Sequence, residues 1–445
     1  MNLQLTLTWE EAKEIANSQI FKHFQEYLKD IELELLQGSW EGLTYDQIAE
    51  TYHHSVNYIR GDIGPKLWHK LSIALAEEVT KNNFKGALER AWKKQQASSS
   101  NNLSFPEGSV PLSSPFYIER EGIESLCYET VVKSGSLLRI KAPSGMGKTS
   151  LIMRVLAHAQ AHKCQAVYID LRSVERSILI SLEKFLRWLC LTVSRQLKVE
   201  NQLNTYWDTE ILGSNDNCTV YFEEYLFTSI KEPLVLGLDE VDRLFPYTEI
   251  IEDFFGMLRS WHEKGKISQK WKQFHLVIAH STEVYIPLDM NQSPFNAGIP
   301  VELSEFNQQQ ITSLAHLHQL NWNKTQIENL MEIIGGHPYL VRLAMYEVST
   351  QKVTLDQLLK EAATEAGIYS NHLRRHLETL QQDTPETQAL KQAFKEVVTS
   401  AKPIELDSMQ IYKLHSMGLV RRLDNQVKPR CQLYREYFRR VLSEK

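Results

Sequence analysis

Residues 139–151 read RIKAPSGMGKTSL, an apolar run that enters a turn of small residues and then a helix-like stretch. Few short patterns restrict a fold as strongly. A phosphate cradle needs small residues so that successive backbone N–H groups converge on phosphate oxygens at a helix amino terminus. It also needs a lysine for the β- and γ-phosphates and a hydroxyl for Mg2+. Ser144, Gly145, Met146, Gly147, Lys148, Thr149 and Ser150 supply this set. The first glycine of the usual pattern is Ala142 here, which a negative φ tolerates. Such a turn works only between a strand and a helix, so the expected core is an α/β P-loop fold with a buried parallel sheet.

The surrounding chain has the strands this requires. Short apolar runs at 136–142, 165–171, 232–240, 274–282 and 298–303 alternate with helical stretches. One of them, LVLGLDEVDRLF (234–245), ends in two acids. A buried strand that ends in adjacent carboxylates is costly without a cation partner. Asp239 is therefore the expected Mg2+ residue together with Thr149, and Glu240 the residue that orients or polarises an attacking water. IAHSTE (278–283) ends another strand in His280, Ser281 and Thr282. One of these is expected to touch the γ-phosphate, and Ser281 joins Lys148, Asp239 and Glu240 as the candidate catalytic set. The cofactors implied are ATP or ADP with Mg2+.

At 445 residues the chain is too long for one ordinary core. Its hydrophobic fraction of 42%, charged fraction of 23% and net charge of -6 are those of a globular protein and give no sign of disorder or of general polyanion binding. Its five cysteines contain no C-x-x-C pair, as expected of reduced thiols in a cytoplasmic protein. The start, MNLQLTLTWEEAKEI, lacks a basic n-region, and no apolar run reaches membrane-helix length, so neither a signal peptide nor a membrane span is expected.

Five segments are expected: a helical domain over 1–94, a Ser/Asn/Gly/Pro-rich linker over 95–115, a P-loop core over 116–303, a helical lid over 304–370 and a winged-helix domain over 371–445. Within the first, apolar spacing predicts a helical segment beginning at the WEEAKEI run and stopping at Gly38. Thr44 and Ser55 are placed to cap the two helices of a helix-turn-helix. The second of these, SVNYIRGDIGPK, sets Arg60 and Lys66 against Asp62, and residues 1–94 hold more acids than bases. A protein-docking role is favoured there over duplex DNA, with Trp40, Tyr45, Tyr52 and Trp68 divided between a docking surface and the core, at least half of them in the core. His53 and His54 lack ligands at metal spacing.

Taken together, APSGMGKTS, LGLDEVDRLF, AHSTE and GGHPYLVRLA resemble the AAA-like ATPases of the STAND group, over roughly 116–445. The chain is most similar to bacterial, particularly cyanobacterial, members that carry an amino-terminal helix-turn-helix module. The resemblance implies a lid whose Gly-x-Pro turn, Gly336 to Pro338, packs near the adenine, with Arg342 one helical turn on as a second phosphate sensor. It also implies that PFYIERE (115–121) contacts the base through Tyr117, Ile118 and Arg120. No arginine finger stands out, although Arg243 and Arg259 follow the acidic strand. The function implied is a slow nucleotide-dependent switch that controls self-assembly into a homo-oligomer or the engagement of an effector protein, in signalling or defence. The alternative is a DNA-associated ATPase that grips a phosphate backbone through the basic stretch 402–440.

Overall fold

The computed structural model describes residues 7–24, 26–100, 103–281, 293–382 and 384–443. The chain divides into two compact units, Met1–Ser104 and Phe105–Lys445.

The first unit is helical. The segment expected to run unbroken to Gly38 is two helices, α1 (Trp9–Phe24) and α2 (Asp30–Trp40), and α2 passes through Gly38 instead of stopping there. The reason is packing, because a Cβ on Gly38 would lie 2.6 Å from Ile48 Cγ1 of α3 (Tyr45–Thr51). Thr44 caps α3 by accepting the Gln47 N–H at 3.3 Å, and Ser55 caps the next helix by accepting the Tyr58 N–H at 3.2 Å. That helix comprises α4 (Val56–Tyr58), a π-helical turn over Ile59–Ile63, and α5 (Gly64–Leu75). The widened turn precedes Pro65, which has no N–H to continue an α ladder; the Gly64 N–H reaches back to the Ile59 carbonyl. α6 (Phe84–Ser100) carries helix into the stretch expected as linker. Trp40, Tyr45, Tyr52 and Trp68 all pack against the core of this unit, and Trp68 Nε1 donates to the Tyr45 hydroxyl at 2.8 Å. They therefore form no exposed aromatic patch. Arg60 pairs with Asp46 at 2.8 Å and Lys66 with Asp62 at 2.6 Å.

The second unit begins with α7 (Ile123–Val131), then β1 (Leu137–Lys141), α8 (Lys148–Ala161) and β2 (Gln165–Asp170). α9 (Leu182–Leu197) and the short helices α10 (Leu203–Tyr206), α11 (Ser214–Val220) and α12 (Phe227–Ser229) precede β3 (Leu234–Asp239). α13 (Thr248–Ile267), β4 (Phe274–His280) and β5 (Ile299–Glu302) complete the layer. All five strands are parallel, in the order β2-β3-β4-β1-β5. Alternate strand residues feed opposite layers, as the two-residue period requires. Val235, Val277 and Ala279 pack with α7 and α8, while Leu234, Leu236, Leu238 and Ile278 pack with α9 and α13. β3 and β4 are therefore buried along their whole length, which is why they read as continuous apolar runs.

Four helices follow: α14 (Gln308–Leu317), α15 (Lys324–Ile334), α16 (Pro338–Ser349) and α17 (Leu355–Glu361). The carboxy-terminal part holds α18 (Ser370–Leu380), α19 (Pro385–Thr399), β6 (Ile404–Glu405), α20 (Ser408–Ser416), β7 (Val420–Leu423), β8 (Gln426–Pro429) and α21 (Gln432–Ser443). Its three strands form an antiparallel sheet in the order β6-β8-β7. β7 and β8 are joined by a two-residue turn with Asp424 at φ 52°, the positive φ that tight hairpins favour. Among the described residues, no helix is long and apolar enough to cross a membrane.

Candidate functional site

The parallel register brings the carboxyl ends of the strands to one edge of the sheet, the edge where ligands of open α/β folds sit. Gly145 (φ 75°) and Gly147 (φ 97°) take the left-handed backbone that turns the chain from β1 into α8. Lys148, only 7% exposed, donates from Nζ to the Ala142 carbonyl at 2.8 Å and to that of Pro143 at 3.4 Å. Arg120, expected at the base, is buried beneath the turn and also lines the cavity beside it. Its Nη2 donates to the Met146 carbonyl at 2.7 Å and its Nε to the Ser304 carbonyl at 3.0 Å.

Two residues 90 positions apart meet here: Thr149 Oγ1 donates to Asp239 Oδ2 at 2.7 Å. The Tyr168 hydroxyl donates to the same oxygen at 2.9 Å, and the Glu240 N–H donates to Oδ1 at 2.9 Å. Burial and the Asp239 charge raise the Tyr168 phenol, which keeps it the donor. Glu240 sits in the left-handed region at φ 55°, and burial raises its carboxyl while Lys148 pulls it back. Arg172 stands 3.8 Å from Glu240 and pairs with Asp170 at 2.8 Å. A hydroxyl and a carboxylate side by side next to a lysine are hard oxygen donors that suit Mg2+. Among the described residues there is no group of three or more His, Cys, Asp or Glu side chains that could hold a metal ion, and His54 pairs with Glu34 at 2.7 Å.

Ser281 lies at the end of β4, but its N–H donates to Asp242 Oδ2 at 2.7 Å and its hydroxyl donates to Asp242 Oδ1. It does not line the cavity beside the turn. Burial raises the Asp242 carboxyl, and the two bonds from Ser281 oppose that rise. Thr282 lies outside the described residues.

The cavity measures about 560 Å³, within the range of small-molecule sites. Tyr117, Ile118, Ser144, Gly145, Gly147, Lys148, Thr149, Ser150, Glu240, Pro338 and Arg342 all line it. Met146 and Asp239 are fully buried behind its wall. Ser150 Oγ accepts the Val110 N–H at 2.8 Å, and Arg154 donates to the carbonyls of Val110 and Pro111 at 3.0 and 2.9 Å. The 106–110 stretch is thereby strapped along α8 as part of the lining. The Tyr117 hydroxyl donates to Glu124 at 2.8 Å, and its ring lies 3.6 Å from the Arg154 guanidinium. Arg342, 8% exposed, stacks 4.7 Å from the Phe116 ring, which also contacts His318 at 4.5 Å. Arg342 thus joins an aromatic group, whereas Lys148 and Arg172 gather around the acidic strand end.

The helical segments close on the turn. His337 caps α16, accepting the Leu340 N–H at 3.5 Å, and its ring packs so tightly on Gly145 that a Cβ there would lie 2.7 Å from Cε1. Burial, with Arg430 adding to it, pushes the His337 imidazole down to about 3. Gly418 sits against Pro143, where a Cβ would come within 2.9 Å. Glu305 ties these parts together. It pairs with Arg430 at 2.7 Å and with Arg421, and accepts the Gly336 N–H at 3.2 Å. Other cations of the basic stretch are engaged within the unit: Lys413 with Glu386, Arg435 with the Ser400 carbonyl, Arg440 with the Ala363 carbonyl and Arg422 over Tyr412. Of the two arginines after the acidic strand, Arg259 pairs with Glu263 at 2.8 Å, while Arg243 lies 5.9 Å from the Tyr247 ring.

Sequence reasoning missed Tyr168, Asp170 and Arg172, whose only signal is the strand pairing that sets Asp170 beside Asp239. It also missed Asp242 and Glu305, which look like solvated acids until their partners are known.

A family model described as an AAA-like domain matches residues 105–440, and one described as the vWA-MoxR associated protein N-terminal HTH matches residues 7–91. Among solved structures the chain is similar to the Walker-type ATPase PABY2304 of Pyrococcus abyssi, with 16% identity, 73% of this chain and 96% of that chain covered, and a TM-score of 0.51. It is also similar to the ORC2 protein of Aeropyrum pernix in its ADPNP-ADP complexes, with 16% identity, coverage of 78% and 96%, and a TM-score of 0.43. At these identities the likeness is one of fold. No curated protein matches the chain.

Proposed function

The chain belongs to the AAA-like domain family, and we propose that it is a nucleotide-dependent switch of the STAND type. In this reading it binds and slowly hydrolyses ATP to control self-assembly or the engagement of an effector protein in the cytoplasm. The observation that carries the nucleotide assignment is the meeting of Thr149 and Asp239 at 2.7 Å beside Lys148 and a cavity of nucleotide size. Residues 116–303 act as the core, 304–370 as the lid and 371–445 as a winged helix, joined through the linker 95–115 to the helical domain 1–94.

Within the site, Lys148 leaves the Ala142 carbonyl for the β- and γ-phosphates, and the N–H groups from Gly145 to Ser150 cradle them. Thr149 and Asp239 would hold Mg2+, which would supply neutralisation of the phosphate charge. Glu240 orients the attacking water, Ser281 reports on the γ-phosphate through Asp242, and Tyr117, Ile118 and Pro338 bound the base. Arg342 buttresses that end through Phe116. Phosphoryl transfer of this kind is mostly positioning, and P-loop sites without an added arginine are slower by roughly 10³–10⁵.

The switch is favoured over DNA binding because the cations that would grip a duplex are used inside the chain. Arg421 and Arg430 are held by Glu305, beside the lid turn and the phosphate loop. A DNA-associated ATPase is the second reading, favoured by exposed Lys402 and Arg439 on the carboxy-terminal part. Titration with fluorescent ATP and a phosphate-release assay test the site. Lys148→Ala is expected to lose nucleotide affinity, whereas Glu240→Gln keeps affinity and loses turnover. Equal turnover in both variants would overturn the assignment. A DNA affinity that falls steeply with salt would favour the second reading.

A further inference from the structure

β2 is the edge strand of the parallel sheet, so one side of its backbone has no strand partner among the described residues. At Tyr168 that side is taken by a side chain of α9. Gln196 Nε2 donates to the Tyr168 carbonyl at 2.7 Å, and Gln196 Oε1 accepts the Tyr168 N–H at 3.0 Å. Both peptide groups of this one residue are held, and its position opposite Gly237 is fixed by the ladder to β3. From there the phenol reaches the end of the neighbouring strand and donates to Asp239 Oδ2 at 2.9 Å.

Counting lone pairs on Asp239 shows what this does. A carboxylate oxygen offers about two acceptor positions. Oδ2 has both filled, by Thr149 and Tyr168, and Oδ1 has one filled, by the Glu240 N–H. Asp239 is fully buried, so bulk water does not compete for the rest. Thr149 can donate its proton to Asp239 and still present a lone pair to a cation. One position on Oδ1 is then left for the cation or for a water in its shell.

We propose that Tyr168 is a positioning residue for the divalent cation, orienting the Asp239 carboxylate that would hold Mg2+ together with Thr149. The proposal rests on reading the cavity as an ATP–Mg2+ site. Outer-shell partners of this kind typically carry a factor of about 10–100 in metal affinity.

The test titrates Mg2+ into the full-length protein with fluorescent ADP and, separately, follows Mn2+ binding to the protein–ADP complex by electron paramagnetic resonance. Tyr168→Phe is expected to raise the Mg2+ concentration for half-maximal effect by about tenfold, to weaken Mn2+ binding in parallel, and to leave ADP affinity in EDTA unchanged. Gln196→Ala, which frees the backbone but keeps the hydroxyl, should shift the Mg2+ dependence the same way by a smaller factor. Wild-type cation dependence in Tyr168→Phe overturns the proposal while leaving the nucleotide site standing. Failure of the wild-type protein to bind ADP with or without Mg2+ overturns the underlying reading instead, and the proposal with it.

Discussion

Glu305 and Arg430 form an ion pair at 2.7 Å with side chains only 15% and 10% exposed, and the same arginine touches Met146 Sδ in the phosphate loop at 3.9 Å. One pair therefore links the exit of the central sheet, the carboxy-terminal part and the turn that would cradle phosphate. Removing one partner of such a pair leaves a charge poorly solvated, which typically costs about 3–5 kcal/mol. Arg430→Ala should lower the urea midpoint of the second unit and expose the carboxy-terminal part to limited proteolysis. Glu305→Gln should do the same, since it frees both arginines. Wild-type proteolysis of both variants would show that the pair does not hold these parts together.

The buried histidines set an acid limit. His280, His318 and His337 are each pushed down to about 3 by burial. Their unfolded imidazoles titrate near 6.5, so between those values the unfolded chain binds protons that the folded chain does not. Stability is accordingly full above about pH 6.5 and falls as pH drops, by roughly 1.4 kcal/mol per pH unit for each fully protonating histidine. Glu240 and Asp242, whose carboxyls are raised, act in the opposite direction. Urea unfolding at pH 7.5, 6 and 5 should show a falling midpoint, and His318→Phe should make the fall shallower. A midpoint unchanged from pH 7.5 to 5 would count against neutral burial of these rings.

Gly145 meets two constraints at once, a φ of 75° and the His337 ring 2.7 Å from any added Cβ. Gly145→Ala should cost about 1–2 kcal/mol from the backbone alone and push His337 off the turn. Thermal melting and ADP titration would both register the loss. His337→Ala in the same chain should recover part of the stability by removing the clash. If the double variant melts no higher than Gly145→Ala, the His337 contact is not the source of the cost.

The stretch lining the cavity at 106–110 is fastened by Arg154 and Ser150. Arg154→Ala removes both bonds from its guanidinium to that backbone and uncovers Tyr117. Fluorescent nucleotide should then dissociate faster, by about tenfold if one net charged hydrogen bond of ~1.5 kcal/mol is lost. Stopped-flow displacement measures this directly; an unchanged dissociation rate would mean that the stretch does not cover the bound molecule.

Much of both units was legible in the chain because local chemistry dictates it. Five apolar runs became five parallel strands, and β3 and β4, which are covered on both faces, are apolar almost throughout. Thr44 and Ser55 cap their helices because a hydroxyl before an apolar helix has one obvious use. Gly38 misled for the opposite reason. Glycine is a common helix stop, yet here it lies inside α2 because Ile48, a residue of another helix, needs its space. For Ser281 and Arg342 the places in the chain were readable, while the groups they touch, Asp242 and Phe116, were not.

By itself, then, the sequence determined the small-residue turn between a strand and a helix, the strands around it and the helical caps, all of which depend on neighbours a few residues away. Tertiary structure alone decided that Tyr168 shares an oxygen of Asp239 with Thr149, and that Glu305 gathers Arg421 and Arg430. Those choices depend on the register between strands and on how distant helices pack. A side chain's hydrogen-bond partner is settled by whichever group the fold brings within about 3 Å, and local pattern carries no record of that distance.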